Sequence, residues 1–126
     1  MMEIKEFQDK LKEFDIARGW EKDWNMKDLL LNLIEETGEV WSIVKWVDDK
    51  EKQKELVKKD KEEISDFIGD SLFILLKLAN QTEVDSEKAL KKTFEEYEKR
   101  MPPEIMKKLK HGNPRAGGWD NKKWQS

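Results

Sequence analysis

Residues Met26 to Val47, MKDLLLNLIEETGEVWSIVKWV, decide the fold. At about 100° per residue, Leu30, Leu33, Thr37, Val40, Trp41 and Val44 fall on one arc, while Glu35, Glu39, Ser42 and Trp46 gather opposite it and Glu36 sits on the border. The spacing predicts a helix with a packed face and an acidic face. Asn25, just before it, is a residue type that caps helix N-termini.

Upstream, Ile4, Phe7, Leu11 and Phe14 recur at steps of three and four, predicting a first helix from Glu3 to about Ala17 that Arg18-Gly19-Trp20 interrupts. Downstream, DDKEKQKELVKKDK (48–61) holds two aliphatic residues and reads as a solvated connection with room for a helical turn or two. A third helix, about Lys61 to Asn80, is apolar around most of its circumference, so it should be central. Along it Glu63, Asp66 and Asp70 share an arc of about 60°, extended by Lys77. A fourth helix is expected from about Asp85 to Arg100, with Ala89, Leu90, Phe94 and Tyr97 supplying contacts, until Pro102-Pro103 ends the pattern. Strand-like alternation and internal repeats are absent. The expectation is an all-α, four-helix domain over 1–102 followed by an irregular tail, 103–126, that carries Trp119 and Trp124.

Composition removes several functions. The 126 residues suit one domain. Lys and Arg number 25 against 28 Asp and Glu, interspersed for a net charge of −3, so no basic field awaits duplex nucleic acid. The absence of cysteine excludes thiol catalysis and thiolate metal sites. The polar start MMEIKEFQDK and the lack of a run of ~18 apolar residues lead us to expect a cytoplasmic protein with no membrane span.

The chemistry-bearing feature is the pair of acidic clusters, Glu35, Glu36 and Glu39 on the second helix and Glu63, Asp66 and Asp70 on the third. Carboxylates gathered where two apolar helices meet repel one another and lose water, so they must be protonated, paired or metal-bound. Lys77 alone among the lysines has matching phase, which leaves a divalent ion as the counter-charge. All-carboxylate ligation suits Mg²⁺, with Mn²⁺ possible. Iron sites of carboxylate bundles use a Glu-x-x-His pair, whereas the single histidine, His111, is in the tail. Since Mg²⁺ is usually shared with substrate phosphates, such a site points to a phosphorylated substrate. In a chain that is 42% charged, a merely solvated acidic face is the plain alternative.

Leu29 to Val40 followed by Lys45-Trp46 resembles the first motif of the MazG-like all-α nucleotide pyrophosphohydrolases, nearest the dCTP pyrophosphatase branch. That branch's pattern lies without gaps on Phe14, Trp20, Asp28, Leu29, Glu36, Gly38, Glu39, Val40, Lys45 and Trp46. Asp70 to Leu76, Val84-Asp85, Ala89 and Lys99 to Pro102 resemble the family's second half. The resemblance implies a Mg²⁺-dependent enzyme that cleaves a nucleoside triphosphate between the α and β phosphates, releasing the monophosphate and pyrophosphate, as a house-cleaning activity on the nucleotide pool. It also implies a homodimer or homotetramer.

Glu36 and Glu39 match the family's Glu-x-x-Glu and Asp70 its later Asp, but Phe67 stands where the partner Glu is expected. Asp66 is favoured as its replacement, the other repair being Glu63-Ile64-Ser65-Asp66 as the motif moved up one turn. The expected metal set is therefore Glu36, Glu39, Asp66 and Asp70, with Glu35 as a water-orienting base or extra ligand. Trp20 and Trp46 are candidates for stacking on a base, Lys99 and Arg100 for binding phosphate, and Lys77 for steadying charge on the leaving pyrophosphate. Base preference does not carry over, because Trp24 and Asp28 replace the branch's His and Asn. A second reading is a non-catalytic helical module that binds nucleotide or protein. A third gives the tail's Arg115, Lys122, Lys123, Trp119 and Trp124 a role on single-stranded nucleic acid.

Overall fold

The computed structural model describes residues 1–108 and is helical throughout, with no strand among them. The helices are α1 (Ile4–Ala17), α2 (Met26–Val44), α3 (Lys50–Lys59), α4 (Lys61–Gln81), α5 (Ser86–Arg100) and α6 (Pro103–Lys108). The chain divides into two compact units, Met1–Ser86 and Glu87–Ser126. No helix among the described residues is long and apolar enough to cross a membrane.

Local chemistry explains the boundaries. Gly19, at φ 69°, takes the left-handed conformation after α1, letting the Trp20 N–H reach back 2.9 Å to the Asp15 carbonyl. The Asn25 side chain accepts a 2.9 Å hydrogen bond from the Asp28 N–H and starts α2. Asp49 does the same for α3, accepting from the Glu51 N–H at 2.8 Å.

Within the first unit, α4 packs against α1, α2 and α3, as expected of the central helix. Leu11, Leu29, Ile74 and Ala79 are the buried apolar residues. Gln8, also buried, ties the ends together. Its Nε2 donates to the Val84 carbonyl at 2.8 Å, its Oε1 accepts from the Ser86 N–H at 2.9 Å, and Asn80 Nδ2 donates to its main-chain carbonyl at 3.1 Å.

Three expectations change. The connection 48–61 is mostly a ten-residue helix, α3, because Asp49 caps it and Leu56 and Val57 give it a half-buried side. Among the described residues there are six helices where four were expected: α3 is added, and the first residues of the expected irregular tail form α6, the rest of that tail lying outside the described residues. The arc assigned to packing on α2 is rotated. Leu29, Leu33, Glu36 and Val40 carry its buried and half-buried side, while Leu30, Thr37 and Trp41 are exposed. Those three join Ile34 and Gly38 in an uncovered apolar stripe, with Ile34 67% and Trp41 60% exposed.

Candidate functional site

Glu36 and Glu39 lie one turn apart on α2, and Glu63, Asp66 and Asp70 recur at three and four residues on α4. Because these helices pack together, both sets face one cleft of about 510 Å³, lined also by Val40, Ser42 and Phe67. The four residues expected to hold metal are thereby brought together, and Glu63 joins them. Phe67 lines the same cleft, which places the family's missing carboxylate position inside the site.

The electrostatics show convergence. Glu36 holds its proton more tightly than an ordinary glutamate, first through partial loss of water and then through the negative charges of Glu39, Asp70, Asp66 and Glu35. None of the five cleft carboxylates has a Lys or Arg partner among the ion pairs of the described residues. No ready-made cage of three acidic or imidazole side chains exists among the described residues. A hard-cation site completed by water and substrate phosphates does not need one. The donors, all oxygen and without a neutralising cation among the described residues, fit Mg²⁺ or Mn²⁺ in kind.

Other expected site residues lie elsewhere. Glu35 is exposed and outside the cleft lining, acting on it through the charge that raises Glu36. Lys77 does not face the acidic cleft, although its phase on α4 suggested it. Its Nζ sits 3.2 Å from Asp15 Oδ1, and the two residues are only 6% and 5% exposed. A buried ammonium needs a close counter-charge, and Asp15 on α1 supplies it. The pair lines a second cavity of about 140 Å³ together with Trp20, Lys12, Asn80 and Gln81.

Trp20 is thus at a cavity, its ring 5.9 Å edge-on from Phe14. Trp46 is 86% exposed, with the Lys45 ammonium 5.5 Å from its ring centroid. Lys99 and Arg100 close α5 in the second unit, where Arg100 pairs with Glu96 at 3.2 Å. The tail residues His111, Arg115, Trp119, Lys122, Lys123 and Trp124 lie outside the described residues.

Asp15 and Gln8 escaped the sequence reading. Asp15 adjoins Phe14 on a helix whose apolar spacing explains itself without them, and nothing local links it to a lysine 62 residues later.

No curated protein and no solved structure gives a significant match to the chain. Residues 24–105 match the model of the MazG nucleotide pyrophosphohydrolase domain. That span includes every carboxylate of the acidic cleft and about two thirds of the chain. The chain therefore belongs to the MazG nucleotide pyrophosphohydrolase domain family.

Proposed function

We propose that the chain is a Mg²⁺-dependent nucleoside triphosphate pyrophosphohydrolase that converts a (deoxy)nucleoside triphosphate and water into the monophosphate and pyrophosphate. Its role would be removal of unwanted nucleotides from a cytoplasmic pool. The observation that carries this reading is the acidic cleft between α2 and α4, which five carboxylates line with no Lys or Arg partner among the ion pairs of the described residues. Within the family, the arrangement from Phe14 through Trp46 supports a place nearest the dCTP pyrophosphatase branch, as a matter of layout rather than of base choice.

Glu36, Glu39, Asp66 and Asp70 would hold the metal, with Glu63 within the same cleft as a further oxygen donor. When bound, a divalent ion supplies charge neutralisation of the phosphates and acidification of water. The residues do the positioning. The two pairs on facing helices set where the triphosphate lies, and Glu35, beside the cleft, orients the attacking water by accepting its hydrogen bond. Lys99 and Arg100 are the proposed cationic contacts to phosphate and Trp46 an aromatic contact to the base.

A second copy of the chain fits the exposed stripe formed by Leu30, Ile34 and Trp41, since large apolar residues aligned along one helix side gain from being covered. A homodimer or homotetramer is accordingly part of the proposal. Release of pyrophosphate from nucleoside triphosphates in Mg²⁺, and its loss in Glu39→Gln, tests the reading.

A further inference from the structure

We infer that a second copy of the chain packs back to back on the layer formed by α2 and α4, about a twofold axis parallel to these helices, so that each α2 lies on the partner's α4 and the acidic clefts face outward. The inference rests on the homo-oligomer reading above and gives it an interface; the chemistry of the cleft does not enter it. The side of the layer away from the cleft is apolar on both helices. On α2 it carries Leu30, Ile34 and Trp41, and on α4 Ile68, Leu72 and Leu75, which are 52%, 53% and 47% exposed. These three recur at four and three residues, roughly opposite Asp66 and Asp70 on the same helix. All six belong to the first unit.

The amount of apolar surface calls for a large partner. Six large apolar side chains stand on this face, against four buried ones among the described residues, Leu11, Leu29, Ile74 and Ala79. With about half of each side chain uncovered and roughly 200 Å² to a large one, the face amounts to about 600 Å² per copy. Two such faces together reach the lower part of the roughly 1,200–2,000 Å² that a stable interface buries.

Self-complementarity makes that partner a second copy. Gln81 Nε2, at the end of α4, donates to the Trp24 carbonyl just before α2, while residues 36–42 of α2 line the cleft with 63–70 of α4. The two helices therefore run in opposite directions. Leu30 stands level with Leu75, Ile34 with Leu72, Gly38 with Ile68 and Trp41 with Ser65. A twofold axis parallel to the helices leaves every residue at its own height, so the same pairs meet between copies. Large then falls on small: Ile68 comes over the partner's Gly38, and Trp41 over the partner's Ser65 and Gly69. A Cβ placed at Gly38 or Gly69 would meet nothing within 4 Å in its own chain, so both hollows are open. Gly38 lies in a groove of about 400 Å³ beside Leu33, Ile34, Thr37 and Trp41, which puts knob and hollow about one turn apart on one helix, as an isologous contact requires.

The chain has no cysteine, so engineered ones report the register directly. Full-length Ile34→Cys chains mixed with Leu72→Cys chains and oxidised should give a disulfide-linked pair of the two. The yield should exceed by about tenfold that of Ile34→Cys mixed with Ser65→Cys, a pair about 10 Å out of level. Leu72→Asp should halve the mass seen by light scattering and keep the helical circular dichroism. Equal yields from the two mixtures, no linkage of Ile34→Cys to Leu72→Cys in an assembly of wild-type mass, or an unchanged mass in Leu72→Asp would overturn the arrangement and leave the homo-oligomer standing. So would a Thr37→Cys chain that links to itself, as α2 lying on the partner's α2 requires. A monomeric wild type would remove both. Pyrophosphate release, measured separately, keeps the hydrolase reading distinct: turnover without the linkage refutes only this arrangement, and linkage without turnover refutes only the reaction.

Discussion

Lys77 on α4 and Asp15 on α1 form the one buried ion pair among the described residues, 3.2 Å apart and almost wholly withdrawn from water. Removing one member strands the other charge. Lys77→Met or Asp15→Ala should lose about 3–5 kcal/mol of stability, whereas Asp15→Leu/Lys77→Met should return to near the wild-type value. Urea denaturation of the three variants checks this, and an additive double variant would show that the two groups do not depend on each other.

Gln8 offers a neutral counterpart. Gln8→Ala removes the side-chain partner of the Val84 carbonyl and of the Ser86 N–H, and should cost about 1–3 kcal/mol by thermal melting with no change in pyrophosphate release. Lost activity at full stability would place Gln8 in the reaction instead.

Most of the helical layout could be read from periodicity, because Leu11 and Ile74 fall where three- and four-residue spacing puts a core. Glu36, Glu39, Asp66 and Asp70 were legible for the same reason: facing stripes on adjacent helices must meet if the helices pack. Lys77 was misread because phase on a helix says which side a residue takes and not which other helix lies there; α1 brought Asp15 to it. α3 was underrated since its stability comes from a cap and two half-buried residues rather than from an apolar face. The rotation of α2 followed from counting Trp41 as core, when a single chain leaves it exposed.

The raised proton affinity of Glu36 sets a direction for pH. A carboxyl whose folded-state pKa lies above its unfolded value contributes stability that is fully present below the unfolded pKa and lost as pH rises through the folded one. Metal-free protein should therefore melt higher just below the ordinary glutamate range than above it with respect to this group, and Glu36→Gln should flatten that slope. A variant whose melting temperature keeps the wild-type pH dependence would contradict the clustering of charge around Glu36.

Phe67 lines the acidic cleft at the position where the family resemblance expects a glutamate. Phe67→Glu should lower the Mg²⁺ concentration needed for half-maximal thermal stabilisation by about tenfold, one added carboxylate ligand being worth on the order of a charge-assisted contact. Without metal it should melt lower than wild type through like-charge repulsion. Unchanged Mg²⁺ dependence would mean that the ion binds elsewhere.

Ile34→Asp and Trp41→Glu place charge on the exposed stripe of α2. If a second copy covers it, light scattering should show these variants as monomers while the wild type runs as a dimer or tetramer. A wild-type monomer at the same concentration would remove the oligomer from the proposal.

The most direct measurement is pyrophosphate release from a panel of ribo- and deoxyribonucleoside triphosphates, in Mg²⁺ and in excess chelator, for wild type, Glu35→Gln and Glu39→Gln. The acidic cleft as a metal-dependent hydrolytic site predicts release only with Mg²⁺. It also predicts near-complete loss in Glu39→Gln together with its Mg²⁺-induced stabilisation, and a reduced kcat in Glu35→Gln with that stabilisation kept. Release that persists in chelator, or a Glu39→Gln variant as active as the wild type, would contradict it.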